Sequence, residues 1–92
     1  MKPTPSELRA LKSRAQQLDP VLRIGREGLT GAVLAKLADI FRTHDLVKVK
    51  LVDHKGERKT LAAELAEKSG STLVQVVGFM VVLHKPRPDR AG

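Results

Sequence analysis

Gly25-Arg26-Glu27-Gly28, followed by Leu29-Thr30-Gly31, is the stretch of this chain whose residue types and spacing could do chemistry. Two glycines three positions apart let a backbone turn sharply and approach a ligand without interference from Cβ atoms. The loop is preceded by Val21 to Ile24, short and β-branched at both ends, which reads as a strand; a helical pattern opens near Thr30. The first amides of a helix have no intrahelical partner, so an anion resting at such a loop gains hydrogen bonds and a favourable dipole, about 0.3–2 kcal/mol. Arg26 can add a charge-assisted contact, and Arg23 stands on the other side of the loop. Glu27 opposes an approaching phosphate but suits the positive end of the next helix. The same spacing also serves a plain tight turn. It is not a Walker loop, because Lys-Ser/Thr is missing after the glycines, and it is not a dinucleotide fingerprint, which needs GxGxxG.

Nothing else in the chain has the pattern of a reactive site. His44, His54 and His84 are scattered over a helix end, a turn and a strand end, and there is no Cys, so neither a metal site nor thiol chemistry is expected. Asp39, Asp45, Glu64 and Glu67 read as solvating charges on helices. Ser6, Ser13, Ser69 and Ser71 lack a neighbouring motif that would activate them. No catalysis, no cofactor and no small-molecule substrate are expected.

The charge balance points to a polyanionic partner. Lys and Arg number 17 against 10 Asp and Glu in 92 residues, a formal net charge of +7, which attracts polyanions at long range. Lys48 and Lys50 lie two apart on one strand, Arg9 and Lys12 share a helix face, and Lys85, Arg87 and Arg90 end the chain. A positive surface near the glycine loop, built from Arg23, Arg26 and some of these residues, is expected, whereas Lys36, Lys55 and Lys68 read as ordinary solvated charges. Trp and Tyr are absent and Phe41 and Phe79 are the two aromatics, which argues against reading bases on several stacked rings. The longest nearly apolar run, Leu73 to Leu83, is far short of the roughly 20 residues that span a bilayer. With no hydrophobic segment after Met1-Lys2-Pro3, neither a secretory signal nor membrane association is expected, and the cytoplasm is the expected location.

Seven elements must position the loop. Thr4, Pro5 and Glu7 form a capping-box pattern, and Leu8, Leu11, Ala15 and Leu18 give the first helix one apolar stripe, with Asp19-Pro20 expected to end it. The second helix runs from about Thr30 to His44 on Val33, Leu34, Leu37, Ile40 and Phe41. Leu46 to Val52 alternates Val47, Val49 and Leu51 with Lys48 and Lys50, which places the lysines toward water. After a turn at Asp53-His54-Lys55-Gly56, a third helix covers roughly Glu57 to Ser69, with Gly70 as its C′ residue. Thr72–Val77 and Met80–Lys85 read as a hairpin around Gly78-Phe79, and Pro86-Arg87-Pro88 stops further pairing. The order α-β-α-β-α-β-β predicts an α/β (α+β) fold with one mixed four-stranded sheet packed with helices: a parallel crossover pair plus an antiparallel hairpin. Residues 1–86 are expected to form one domain, and 87–92 a short basic tail.

Three blocks, Val21-Leu22-Arg23-Ile24-Gly25-Arg26-Glu27-Gly28-Leu29-Thr30, Leu46-Val47-Lys48-Val49-Lys50, and Val74-Gln75-Val76-Val77-Gly78 with Val82-Leu83-His84-Lys85-Pro86, resemble the CRM domain. The likeness is to the small stand-alone bacterial YhbY-type proteins, and it extends from the first helix to Pro86. The resemblance implies a fold similar to the C-terminal domain of translation initiation factor three and related to KH modules, in which a GxxG loop clamps the nucleic-acid backbone. It further implies RNA as partner, namely ribosomal RNA or a precursor of the large ribosomal subunit; a monomer is the simplest expectation for the oligomeric state. Gly25, Arg26, Glu27 and Gly28 become the expected RNA contacts, with Arg23, Thr30, Lys48 and Lys50 completing the set. Two departures from the family pattern stand out: the acid at Glu27 and the apolar Phe79-Met80 in the hairpin turn, where packing against a neighbouring element is the expected role. The alternative is a protein-interaction module that meets an acidic partner through the basic surface and the Phe79-Met80 turn.

Overall fold

The computed structural model of the chain describes residues 4–52 and 55–85. Asp53-His54 and everything from Pro86 onward, including the expected basic tail, lie outside the described residues. The elements are α1 (Pro5–Ala15), β1 (Leu22–Ile24), α2 (Gly31–Phe41), β2 (Leu46–Leu51), a short 3-10 turn (Lys55–Glu57), α3 (Arg58–Ser69), β3 (Thr72–Val77) and β4 (Met80–His84). The strands form one sheet in the order β1-β2-β4-β3. β1 and β2 pair in parallel, while β4 is antiparallel to both of its neighbours. This is the mixed four-stranded sheet expected from the element order.

Each local rule that writes an element is visible. At the start of α1 the Thr4 hydroxyl accepts from the Glu7 amide at 3.2 Å and the Glu7 carboxylate accepts from the Thr4 amide at 2.9 Å, a complete capping box. That contact holds the Glu7 carboxyl below the usual carboxylate range. Gly70 ends α3 with a left-handed φ of 69°, as a C-terminal glycine can. Gly78 opens the hairpin turn with φ 58°. A positive φ at the first of two central positions is what a type II′ turn requires, so the hairpin forms without an Asn-Gly pair.

Two helices end earlier than expected. α1 stops at Ala15, because Gln17 and Leu18 turn back to the carbonyls of Arg14 and Ala15 in tighter three-residue turns. Leu18 still packs against the core from this frayed end. α2 stops at Phe41, and Arg42 and Thr43 turn back to Asp39 and Ile40 in the same way.

The sheet is covered on both faces. On one face α2 and α3 bury Leu37, Phe41, Ala62 and Leu65 against Ile24, Val47, Val49, Leu51, Val81 and Leu83. On the other, α1 places Leu11 and Ala15 over Leu46, Val74 and Val82. The α1 face corrects the expectation for β2: Lys48 and Lys50 do not face bulk water but are half-buried. One helix covers only part of a four-stranded sheet, and a long lysine side chain beside it is partly covered without being enclosed.

Topology then assembles one end of the molecule. β1 and β2 run the same way, so the loop after Ile24 and the segment after Leu51 emerge together; the Val52 amide donates to the Ile24 carbonyl at 2.9 Å. The Leu51 amide donates to the Phe79 carbonyl at 2.7 Å, which brings the hairpin turn to the same end.

Candidate functional site

Gly25 to Gly28 forms a closed four-residue turn in which the Gly28 amide donates to the Gly25 carbonyl at 3.1 Å. The two glycines differ. Gly28 has φ +75° and is needed to make the turn. Gly25 has no left-handed φ, and a Cβ built on it meets nothing within 4 Å among the described residues. Neither the backbone at position 25 nor its described neighbours demand a glycine there.

The chain passes directly from this turn into α2. The Thr30 amide donates to the Gly28 carbonyl at 3.1 Å, and the Thr30 hydroxyl accepts from the Val33 amide at 3.2 Å. Thr30 is thus the N-cap, and the favourable site at this helix start is filled by its hydroxyl rather than by Glu27, which is exposed. Capping uses the acceptor side of the hydroxyl and leaves its hydrogen to donate. The amides of Gly31 and Ala32, on exposed residues, have no place in the helical ladder. Arg26 is exposed at the tip of the turn.

Arg23, Lys48 and Lys50 come together on the α1 face of the sheet. Arg23 is the register partner of Lys50 across β1 and β2, and Lys48 lies two residues before Lys50 on that face. Directly opposed like charges destabilise a strand pair, and among the described residues no acidic side chain lies within ion-pair distance of these three. The strip continues past Lys48 into a groove of about 230 Å³ lined by Gln16, Gln75, Val77 and Met80. Lys36, which the sequence presents as a solvated charge, shares a depression with Arg23 at the free edge of β1.

Other cations serve the fold. At the opposite end of the sheet Arg14 grips Asp45 through two hydrogen bonds of 2.9 and 3.3 Å, with His84 Nε2 3.6 Å from the same carboxylate. The Arg14 contact holds the Asp45 carboxyl below its ordinary range. Lys85 donates to the Ser69 carbonyl at 3.2 Å at the end of α3 and lies 5.8 Å from the Phe41 ring centre, so it acts as a helix cap far from the glycine turn.

One residue at the glycine-turn end carries no signal in the linear pattern. Arg58, at the first position of α3, donates to the Gly78 carbonyl at 2.7 Å and sits 4.9 Å over the Phe79 ring centre. The partners are twenty positions apart, so no spacing rule could have joined them. Among the described residues, no group of three or more His, Cys, Asp and Glu side chains could hold a metal ion. No helix among them is long and apolar enough to cross a membrane.

A mixed sheet with helices on both faces, a GxxG turn leading into a helix, and beside it a strip of three cations with no acidic partner among the described residues make up a small α+β module with a basic surface. Residues 4–85 match the family model described as the CRS1 / YhbY (CRM) domain, and the chain belongs to that family. It is 37% identical over 90 residues to a Pseudomonas aeruginosa protein named a probable RNA-binding protein, covering 95% of this chain and 86% of the other. It is 35% identical over 80 residues to a Haemophilus influenzae protein named an RNA-binding protein, covering 86% of this chain and 81% of the other. The solution structure of a Staphylococcus aureus protein superposes with a TM-score of 0.81 at 31% identity, covering 92% of this chain and 90% of that one.

Proposed function

We propose that this chain is a non-catalytic RNA-binding protein that holds ribosomal RNA by its phosphate backbone and acts in assembly of the large ribosomal subunit, as a monomer of one domain. The Gly25–Gly28 turn and the start of α2 receive phosphates: Gly25 allows close approach, Arg26 supplies a charged donor, and the amides of Gly31 and Ala32 face the anion. Arg23, Lys48 and Lys50 extend the track along the sheet. The Thr30 hydroxyl holds the helix start in place and donates its hydrogen.

The observation that carries this reading is the glycine at position 25. Among the described residues nothing lies where its side chain would be, and Arg23 and Lys50, register partners across β1 and β2, have no acidic partner among those residues. A phosphate backbone lying against the turn accounts for both features. RNA is preferred among polyanions because the relatives above carry RNA-binding names. Duplex DNA is disfavoured because the sequence carries no recognisable helix-turn-helix or ribbon signature.

The test is a double substitution, Arg26→Asp with Glu27→Asp. Both residues are exposed, so thermal unfolding should move little, while affinity for ribosomal RNA falls. Unchanged affinity in that variant removes the turn from the mechanism. Crosslinking in cells, followed by sequencing of the attached RNA, tests the ribosomal assignment: reads spread evenly over unrelated transcripts would overturn it.

A further inference from the structure

We infer that Phe79, backed by Arg58, is a stacking site for one unpaired RNA base, which gives this protein a preference for single-stranded segments beside the phosphates held at the glycine turn. The inference rests on the RNA-binding reading above and adds the class of RNA.

Phe79 is not part of either core cluster, and 37% of its surface is exposed. Packing, the role expected of the Phe79-Met80 pair from sequence, is taken up by Met80, which is half-buried and lines the groove on the α1 face. Phe79 instead stands at the turn tip under the Arg58 guanidinium, 4.9 Å from ring centre to charge. The turn is held from several sides. Gly78 sets the backbone with φ 58°, Arg58 holds the Gly78 carbonyl at 2.7 Å, and the Leu51 amide holds the Phe79 carbonyl at 2.7 Å. A ring on so constrained a turn loses little freedom when a base settles on it.

Its position suits a strand already gripped at Gly25. Leu51 pairs with the Phe79 carbonyl and the next residue, Val52, pairs with the Ile24 carbonyl, so the turn and the start of the glycine loop lie two strand spacings apart, about 10 Å. Arg58, which covers the ring, and Gly78, which precedes it, also line a cavity of about 340 Å³ together with Gly56, Lys59, Thr60 and Val76, with room for a sugar and cations for its phosphate. The exposed apolar residues Val52 and Val77 lie at this same end. An apolar planar group next to anionic charge is what such a surface complements, and an unpaired nucleotide has both. A second copy of this chain does not fit, because two molecules of net charge +7 repel.

The test uses the full chain, a fluorescein-labelled oligouridylate and a labelled RNA duplex, with binding read by anisotropy. Phe79→Leu keeps an apolar side chain but removes the ring; it should weaken oligouridylate binding roughly tenfold, leave duplex binding unchanged, and leave the salt dependence of both unchanged. The chain contains no Trp or Tyr, so Phe79→Trp introduces a single reporter whose fluorescence should be quenched on adding oligouridylate. Equal oligouridylate affinity in the parent and Phe79→Leu, or an equal loss on duplex and oligouridylate, overturns the stacking site while RNA binding stands. Quenching by an acidic protein but not by oligouridylate also overturns it and assigns the turn to a protein partner. Failure of the parent chain to bind either RNA overturns the underlying reading as well.

Discussion

At the residue scale, the two glycines of one turn separate a folding role from the ligand role proposed above. Gly28 needs its left-handed backbone, so Gly28→Ala should cost about 1 kcal/mol in thermal or denaturant unfolding. Gly25→Ala places a methyl where no described residue lies within 4 Å, on a backbone without a left-handed φ, and should leave the melting temperature unchanged. The same methyl would lie where a phosphate is proposed to approach, so RNA affinity should fall in this variant. A Gly25→Ala protein with parental affinity would mean that nothing contacts that face of the turn. The motif was legible in the sequence, but this division of labour was not, since both residues are the same letter and only φ and the surrounding space distinguish them. Glu27 shows the same limit: its charge suits the start of a helix, yet Thr30, three residues on, has the geometry to cap it.

At the element scale, α1 decides how much of the sheet is left for a ligand. Its hold has an apolar part, Leu11 and Ala15 over Val74 and Val82, and a polar part, Arg14 on Asp45. Leu11→Ala should destabilise the chain by roughly 2–4 kcal/mol, checked by chemical unfolding. The ion pair is worth less, because the Arg14 side chain is 53% exposed, and Asp45→Asn should cost about 0.5–1 kcal/mol at neutral pH. The pH dependence follows from the direction of the shift. Arg14 lowers the Asp45 pKa in the folded chain, so the stabilisation is complete above the unfolded value of about 3.9 and is lost as pH falls through the lower folded value. The gap in melting temperature between the parent and Asp45→Asn should therefore hold at neutral pH, narrow as pH drops below about 4 and then close. A gap that stays constant with pH would show that the charge of Asp45 does not contribute.

At the scale of the whole molecule, the cations divide by location. Arg14 and Lys85 support the fold at one end of the sheet, whereas Arg23, Lys48 and Lys50 form a strip leading to the glycine turn at the other. If about four phosphates are held, the log–log slope of RNA affinity against salt should be near −3 on single strands. The double variant Arg23→Gln with Lys50→Gln should reduce the steepness of that slope by about one to two and weaken binding to all sequences alike. A slope near zero in the parent chain would exclude phosphate contact as the main source of affinity.

The order of elements, the mixed sheet, the capping box at Thr4, the Gly70 stop and the family were all determined by the sequence alone. Each depends on residues close together in the chain or on a pattern of fixed period: caps act across one turn, apolar residues repeat with the helix or the strand, and glycine marks a turn. The pairing of Arg23 with Lys50, the partial burial of the β2 lysines beside α1 and the stacking of Arg58 on Phe79 were decided only by the tertiary structure. These depend on strand order, on which face a helix covers and on where a hairpin ends in space. Neither the spacing nor the charge of a residue encodes what a distant segment will bring beside it.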